Sequence, residues 1–217
     1  MQNNSNVRIS SVVAAAVSFF VFLAVSLLYN SSVLTNADDT VYEFTAKFMS
    51  PTLTAFFKSL TMLGSAVSIV SLCLILLIIP LLRWNNGGRA HLKNGIYVSL
   101  VIICSQAFNS LLKYVFLRPR PDILPLVVEK SMSFPSGHAM SSMCLALTLT
   151  FIFRSDFKDK SKALVLGIFI IFIAVLIGLS RVYLGAHYFT DVAAGFAAGA
   201  FIAFSANIIL LNCFPRR

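Results

Sequence analysis

Two histidines stand where phosphoryl chemistry is most readily built. Asp191 follows His187 by four residues, and on a helix that spacing brings both side chains to one face within contact range. A carboxylate bonded to one ring nitrogen orients an imidazole and supports positive charge on it, leaving the other nitrogen free to attack. His138 follows Pro135, Ser136 and Gly137 at a sequence that reads as a helix start, and a second histidine can protonate a leaving alkoxide. The third histidine, His91, falls in a basic stretch apart from these and reads as a solvated loop residue.

Cations surround the pair without an equal number of acids. Lys113, Arg120 and Arg181, with Arg118 in the Pro-broken run Arg118-Pro119-Arg120-Pro121, call for an anion, and arginine forks match phosphate oxygens. The helix start adds to this: Pro suits the first turn, Gly137 lets backbone approach closely, and free N–H groups there bind anions. Attack on phosphorus spreads negative charge over the equatorial oxygens, which such cations and N–H groups can hold. Taken singly, each Lys or Arg reads as a snorkelling side chain and each His as a structural residue. Two histidines, one with an acid at helical spacing, inside a cationic anion site reverse that preference.

The elements that position these residues are set by hydrophobicity. Of 217 residues, 58% are hydrophobic and 12% charged, more apolar side chain than a soluble chain of this length can hide. Only helices or a closed barrel span a bilayer, and the apolar runs here are continuous rather than alternating. The expectation is an all-α polytopic bundle, one membrane domain over residues 1–217. Six spans of roughly 18 to 25 residues are read: Ser10–Leu28, Met62–Leu82, Gly95–Leu117, Pro135–Phe153, Ala163–Tyr183 and His187–Leu211. The first is taken as a retained helix, because its apolar run exceeds a cleaved signal core. Cys73, Cys104, Cys144 and Cys213 lie in apolar segments without metal-type spacing and read as small buried hydrophobes.

The formal net charge of +9 fits cytoplasmic loops and anionic headgroups better than nucleic acid. With the N-terminus inside, inner segments hold Arg8, Arg83, Arg89, Lys93, Arg154, Lys158, Lys160, Lys162, Arg216 and Arg217, while outer ones hold Asp38, Asp39, Glu43, Asp122, Glu129 and Asp191. The positive-inside rule thus predicts cytoplasmic termini and gathers the phosphate cluster at the extracytoplasmic face. The inner links, near Trp84–Leu92 and Arg154–Lys162, read as short and polar. In the outer link from Asn30 to Thr61, Val41, Phe44 and Phe48, then Leu53, Phe56, Phe57 and Leu60, repeat at helical spacing. This predicts two short amphipathic helices on the outer surface; a buried re-entrant segment is the alternative, and either can wall a lateral entrance for lipid.

Three blocks carry a family resemblance: Lys113-(six residues)-Arg120-Pro121, Pro135-Ser136-Gly137-His138, and Ser180-Arg181-(five residues)-His187-(three residues)-Asp191. They resemble the membrane branch of the type-2 phosphatidic acid phosphatase superfamily, with every fixed position filled in order. The resemblance implies that His187 is the nucleophile of a phosphohistidine mechanism, Asp191 its orienting acid and His138 the general acid. It implies that Lys113, Arg120, Ser136, Gly137 and Arg181 hold the phosphoryl oxygens, with no metal and no cofactor. The expected partners are the bilayer and a lipid phosphate, with phosphatidylglycerophosphate favoured, undecaprenyl diphosphate the alternative and phosphatidic acid a third candidate. The superfamily's soluble vanadium-dependent haloperoxidases are disfavoured by six spans. A transporter of anionic lipid is disfavoured because transport does not need the His187–Asp191 pair.

Overall fold

Ser31, Ser50, Ser65 and Asp159 each start a helix by the same device. A side-chain oxygen accepts first-turn N–H groups: Ser31 from Leu34, Ser50 from Leu53, Ser65 from Ser68, and Asp159 from Ser161 and Lys162. The computed structural model describes residues 2–84, 88–122 and 125–213; of Arg89 and Cys213 only the backbone is described, and Arg216 and Arg217 lie outside the described residues. Among the described residues eight helices follow one another: α1 (Gln2–Leu28), α2 (Ser32–Ala46), α3 (Pro51–Met62), α4 (Ala66–Leu82), α5 (Gly88–Phe116), α6 (Gly137–Asp156), α7 (Lys160–Tyr183) and α8 (Phe189–Cys213). Among the described residues there is no strand, so the fold is all-α.

Among the described residues four stretches are long and apolar enough to cross a bilayer: Asn6–Leu28, His91–Phe116, Lys160–Tyr183 and Phe189–Leu211. The pair α3 and α4, bent by 41° at its break, makes a fifth if taken as one span. The hydropathy reading expects six. The difference lies in α6, whose apolar run is interrupted by Ser141, Ser142, Thr148 and Thr150 and which is buried within the bundle. The hydroxyls of Ser142, Thr148 and Thr150 bond back to the carbonyls of His138, Cys144 and Ala146 at 2.6, 2.7 and 2.7 Å, which satisfies them without water. Elsewhere large apolar side chains such as Val17, Phe20, Leu82, Ile103 and Val165 point outward, the pattern that lipid tails solvate.

Two local expectations are corrected. His91 is not in a loop: α5 already begins at Gly88, and His91 is an exposed residue of its first turns. A helix need not end where hydrophobicity does, since Arg and Lys are good helix formers, and Asn94 ties this end to Asp156 at 2.6 Å. Cys73 and Cys144 are buried, but Cys104 is exposed on the outer surface of α5, where an apolar thiol meets lipid as readily as protein.

The stretch from Asn30 to Thr61 folds into α2 and most of α3. Val41 and Phe44 of α2, Phe48 of the link that follows, Leu53 and Phe57 of α3, and Leu179 and Tyr183 of α7 line an apolar groove of about 250 Å³. In the bundle itself, α6 packs on α5, α7 and α8, and α1 lies along α8. Ser11 and Asn207 pair across α1 and α8 at 3.1 Å, and Arg8 donates to the Leu211 carbonyl at 2.8 Å. α6 and α8 approach each other closely. A Cβ on Gly195 would lie 2.7 Å from the Ser136 carbonyl oxygen, and one on Gly199 2.3 Å from that of Met140. This small-xxx-small stripe lets the two helices run side by side with their N-termini at the same end.

Candidate active site

The ends of four helices meet at that end of the bundle: the C-termini of α5 and α7 and the N-termini of α6 and α8. Lys113 occupies the last turn of α5. Leu117 then adopts a left-handed backbone, φ 46°, and redirects the chain into Arg118 and Arg120. The segment that follows folds back over the site, held by Ser133 N–H to the Arg118 carbonyl (2.8 Å) and Leu126 N–H to that of Leu184 (3.0 Å). Phe134, fully buried between Tyr29 and Phe116 at ring distances of 5.2 and 4.7 Å, pins the chain just before α6.

The start of α6 departs from the capping device of α2, α3, α4 and α7. Its N-cap residue, Ser136, makes no side-chain cap bond, and its hydroxyl is buried without a protein partner. The Ser136 N–H instead donates to the Asp191 carbonyl at 3.0 Å, which ties the α6 and α8 starts together. Gly137 faces Asn109, where a Cβ would lie 3.0 Å from Oδ1. His138, half-buried one residue further, lies beside the α3–α4 break, where a Cβ on Gly64 would come within 3.3 Å of its ring.

The end of α7 delivers Arg181 and His187. Gly185, at φ 64°, is the left-handed residue of a Schellman turn: Ala186 N–H bonds the Arg181 carbonyl and Gly185 N–H that of Val182, both at 3.0 Å. The chain reverses within two residues, so His187 sits directly against the last turn of α7.

At the centre is the His187 imidazole, 3% exposed. Its Nδ1 lies 3.4 Å from Asp191 Oδ2 and 3.3 Å from Ser133 Oγ, and the Ser133 hydroxyl also donates to Asp191 Oδ2. Its Nε2 lies 3.1 Å from Arg120 Nη1. A guanidinium can only donate, so Nε2 is the acceptor and the proton rides on Nδ1, facing the carboxylate. Burial lowers the His187 pKa to about 4, with Asp191 opposing and Arg120 and Arg181 reinforcing the shift.

Cations close the other side. Arg120 donates to the carbonyls of Ser131 (2.6 Å) and Ala186 (2.7 Å), and Lys113 to Met132 and, at 3.4 Å, to Ser131 Oγ. Arg181 is buried, bonds Thr61 Oγ1 at 3.0 Å and pairs with Glu129, while its Nε has no protein partner. Arg118 does something else. It is locked between Asp38 (2.8 Å) and Asp191 Oδ1 (2.7 Å), with its guanidinium 4.0 Å from the centre of the Tyr188 ring.

All eight residues singled out in the sequence, Lys113, Arg120, Ser136, Gly137, His138, Arg181, His187 and Asp191, therefore reach this one end of the bundle. Sequence reasoning misses Ser133, Glu129, Thr61 and Asp38. Ser133 stands two residues before the Pro135-Ser136-Gly137-His138 block and so carries a positional signal; Asp38 and Thr61 come from α2 and α3 and carry no spacing signal.

The chain is similar to several known proteins. The PAP2 superfamily model matches residues 94–215. Phosphatidylglycerophosphatase B of Bacillus subtilis is 32% identical over 190 residues, covering 86% of this chain and 89% of that protein. Undecaprenyl-diphosphatase BcrC of the same organism is 26% identical over 144 residues, covering 63% and 66%. The crystal structure of the first transmembrane PAP2 type phosphatidylglycerolphosphate phosphatase from Bacillus subtilis superposes with a TM-score of 0.84 at 28% identity, over 94% of this chain and 98% of that one. A bundle faced with lipid-seeking side chains, a family match across more than half its length and a relative aligned nearly end to end have one common explanation: this integral membrane chain belongs to the PAP2 superfamily.

Proposed function

We propose that this protein hydrolyses the phosphate of a lipid headgroup at the extracytoplasmic face of the cytoplasmic membrane, through a phosphohistidine on His187. One observation carries the reading: Nδ1 of His187 faces Asp191 and Ser133 while Nε2 faces the Arg120 guanidinium. The nitrogen with the lone pair is thus the one that meets the group built to hold phosphate. A pKa of about 4 keeps that lone pair available at neutral pH.

In the first step Nε2 attacks phosphorus, the bond to the lipid alkoxide breaks, and His138 gives the departing oxygen its proton. In the second, His138 takes a proton from water, the hydroxide attacks the phosphohistidine, and inorganic phosphate leaves with His187 regenerated. Lys113, Arg120 and Arg181, the Ser136 hydroxyl and the N–H groups at the start of α6 from Gly137 onward hold the equatorial oxygens. The partnerless Arg181 Nε and Ser136 Oγ support this, because buried polar atoms are otherwise costly. Metal independence is carried from the family resemblance.

Six spans with both termini in the cytoplasm fit the charge bias, with α2 and α3 lying on the outer surface. The groove between α2, α3 and α7 then gives the lipid tail a lateral path. Phosphatidylglycerophosphate is the favoured substrate, on the strength of the relatives bearing that name. Undecaprenyl diphosphate is the second reading, favoured by the relative named for it. Phosphate release from purified lipid phosphates and diphosphates, in detergent with chelator, tests all of this. His187→Ala is expected to lose at least about a thousandfold in kcat, and undiminished hydrolysis by that variant removes the nucleophile. A ranking led by undecaprenyl diphosphate moves the assignment to the second reading, and absence of release throughout leaves the transporter.

A further inference from the structure

Asp38 lies on α2, 152 residues before Thr190 in the chain, yet it is 4% exposed and bonded into the site. Its Oδ1 accepts the Thr190 N–H at 2.8 Å, and its Oδ2 accepts the Thr190 hydroxyl at 2.7 Å and Arg118 Nη2 at 2.8 Å. Arg118 Nη1 in turn donates to Asp191 Oδ1 and Thr190 Oγ1, both at 2.7 Å. The other Asp191 oxygen serves His187 Nδ1, the Ser133 hydroxyl and, at 3.0 Å, the Tyr188 N–H. A line of charge-assisted hydrogen bonds therefore runs Asp38–Arg118–Asp191 and ends with the Asp191 carboxylate 3.4 Å from His187 Nδ1, the Ser133 hydroxyl bridging the two, so that α2 is linked to the reacting ring.

The order of charges matters. Arg118 is shared between two carboxylates, so its fork is fixed at both ends and Asp191 keeps charge to spend on His187. With Asp38 neutral, Arg118 would have Asp191 alone, free to swing toward it and draw it off the imidazole. Thr190, second residue of α8, is gripped at its N–H and its hydroxyl by the same carboxylate, which fixes where Asp191 begins its turn. Partners of this kind, one bond removed from the reacting group, set the tautomer and the orientation of the ring.

We propose that Asp38 is a positioning residue of the phosphatase, making α2 part of the catalytic apparatus by fixing Arg118 and the start of α8 so that Asp191 holds His187 with its proton on Nδ1. This rests on the reading of His187 as nucleophile. The experiment uses the full chain in lipid nanodiscs, with Asp38→Asn, Arg118→Met, the double variant, and Thr190→Val as a milder change that removes two hydrogen bonds and no charge.

For Asp38→Asn the expected result is a fall in kcat of about tenfold to a hundredfold, with KM and the orthovanadate inhibition constant within about threefold of wild type. The double variant is expected to be no slower than Arg118→Met alone, because both changes cut one line. Thr190→Val is expected to lose kcat severalfold with vanadate inhibition unchanged. Equal losses in kcat and vanadate affinity, additive effects in the double variant, or a loss that matches the unfolded fraction would overturn the proposal. Nitrogen-15 NMR of labelled histidine reads the ring without turnover: His187 should carry its proton on Nδ1 in the wild type and shift toward Nε2 in Asp38→Asn and Thr190→Val. An unmoved tautomer overturns the role of Asp38 whatever the substrate, whereas a wild type that releases phosphate from no lipid defeats only the phosphatase reading.

Discussion

The two sides of the His187 ring are built from the same residue types and are put to opposite uses. On the Nδ1 side, Arg118 meets Asp38 and Asp191, and cation and carboxylates are all buried. On the Nε2 side, Lys113, Arg120 and Arg181 face mainly carbonyl and hydroxyl oxygens, with Glu129 pairing with Arg181. Arg118 and Arg120 are separated by one proline, yet one is spent on orientation and the other is left for a ligand. Removing one partner of a buried pair typically costs about 3–5 kcal/mol, so the Nδ1 side is locked. The Nε2 side keeps donors such as Arg181 Nε without a protein partner. On the proposed mechanism, compensated charge holds the nucleophile and uncompensated charge holds what it attacks.

The sharpest way to break that contrast is Asp191→Asn. An amide keeps the shape but cannot fix the ring proton on Nδ1, so kcat is expected to fall about a thousandfold or more. On the proposed mechanism phosphate and vanadate bind the far side of the ring, so their affinities should change far less, within about tenfold. Steady-state kinetics with vanadate inhibition measure both; equal losses would mean the two sides are not separate. Next in size is Arg181→Ala, the mirror experiment on the Nε2 side. Vanadate inhibition is expected to weaken about tenfold to a hundredfold through loss of a charge-assisted donor set, and unchanged inhibition would take Arg181 out of the phosphate site.

The same contrast explains what can be read from the chain without a structure. The Nε2 side is legible because Lys113, Arg120, Ser136, Gly137, His138, Arg181 and His187 fall in three short blocks whose spacing is chemically meaningful. The helices are legible because apolar runs of span length leave few alternatives in a membrane. The Nδ1 side is not legible beyond Asp191. Asp38 lies 80 residues from Arg118 and looks like any acid of an amphipathic helix beside Asp39 and Glu43. Nothing in Arg118-Pro119-Arg120-Pro121 says which arginine a distant carboxylate will neutralise.

The smallest expected effect comes from Glu129, the acid that faces the cations. Burial resists its ionisation, but Arg181 and Arg120 outweigh that and hold its carboxyl below the usual carboxylate range. At neutral pH it is therefore charged and occupies the Arg181 guanidinium that an incoming phosphate needs. With its side chain 32% exposed, such a pair is worth at most about 1 kcal/mol, about fivefold in affinity. Glu129→Gln keeps the shape and removes the competitor, so vanadate inhibition is expected to tighten by about threefold to fivefold while kcat changes little. If inhibition weakens instead, Glu129 supports Arg181 as Asp38 supports Arg118, and both sides of the ring use carboxylates to aim their arginines rather than only one.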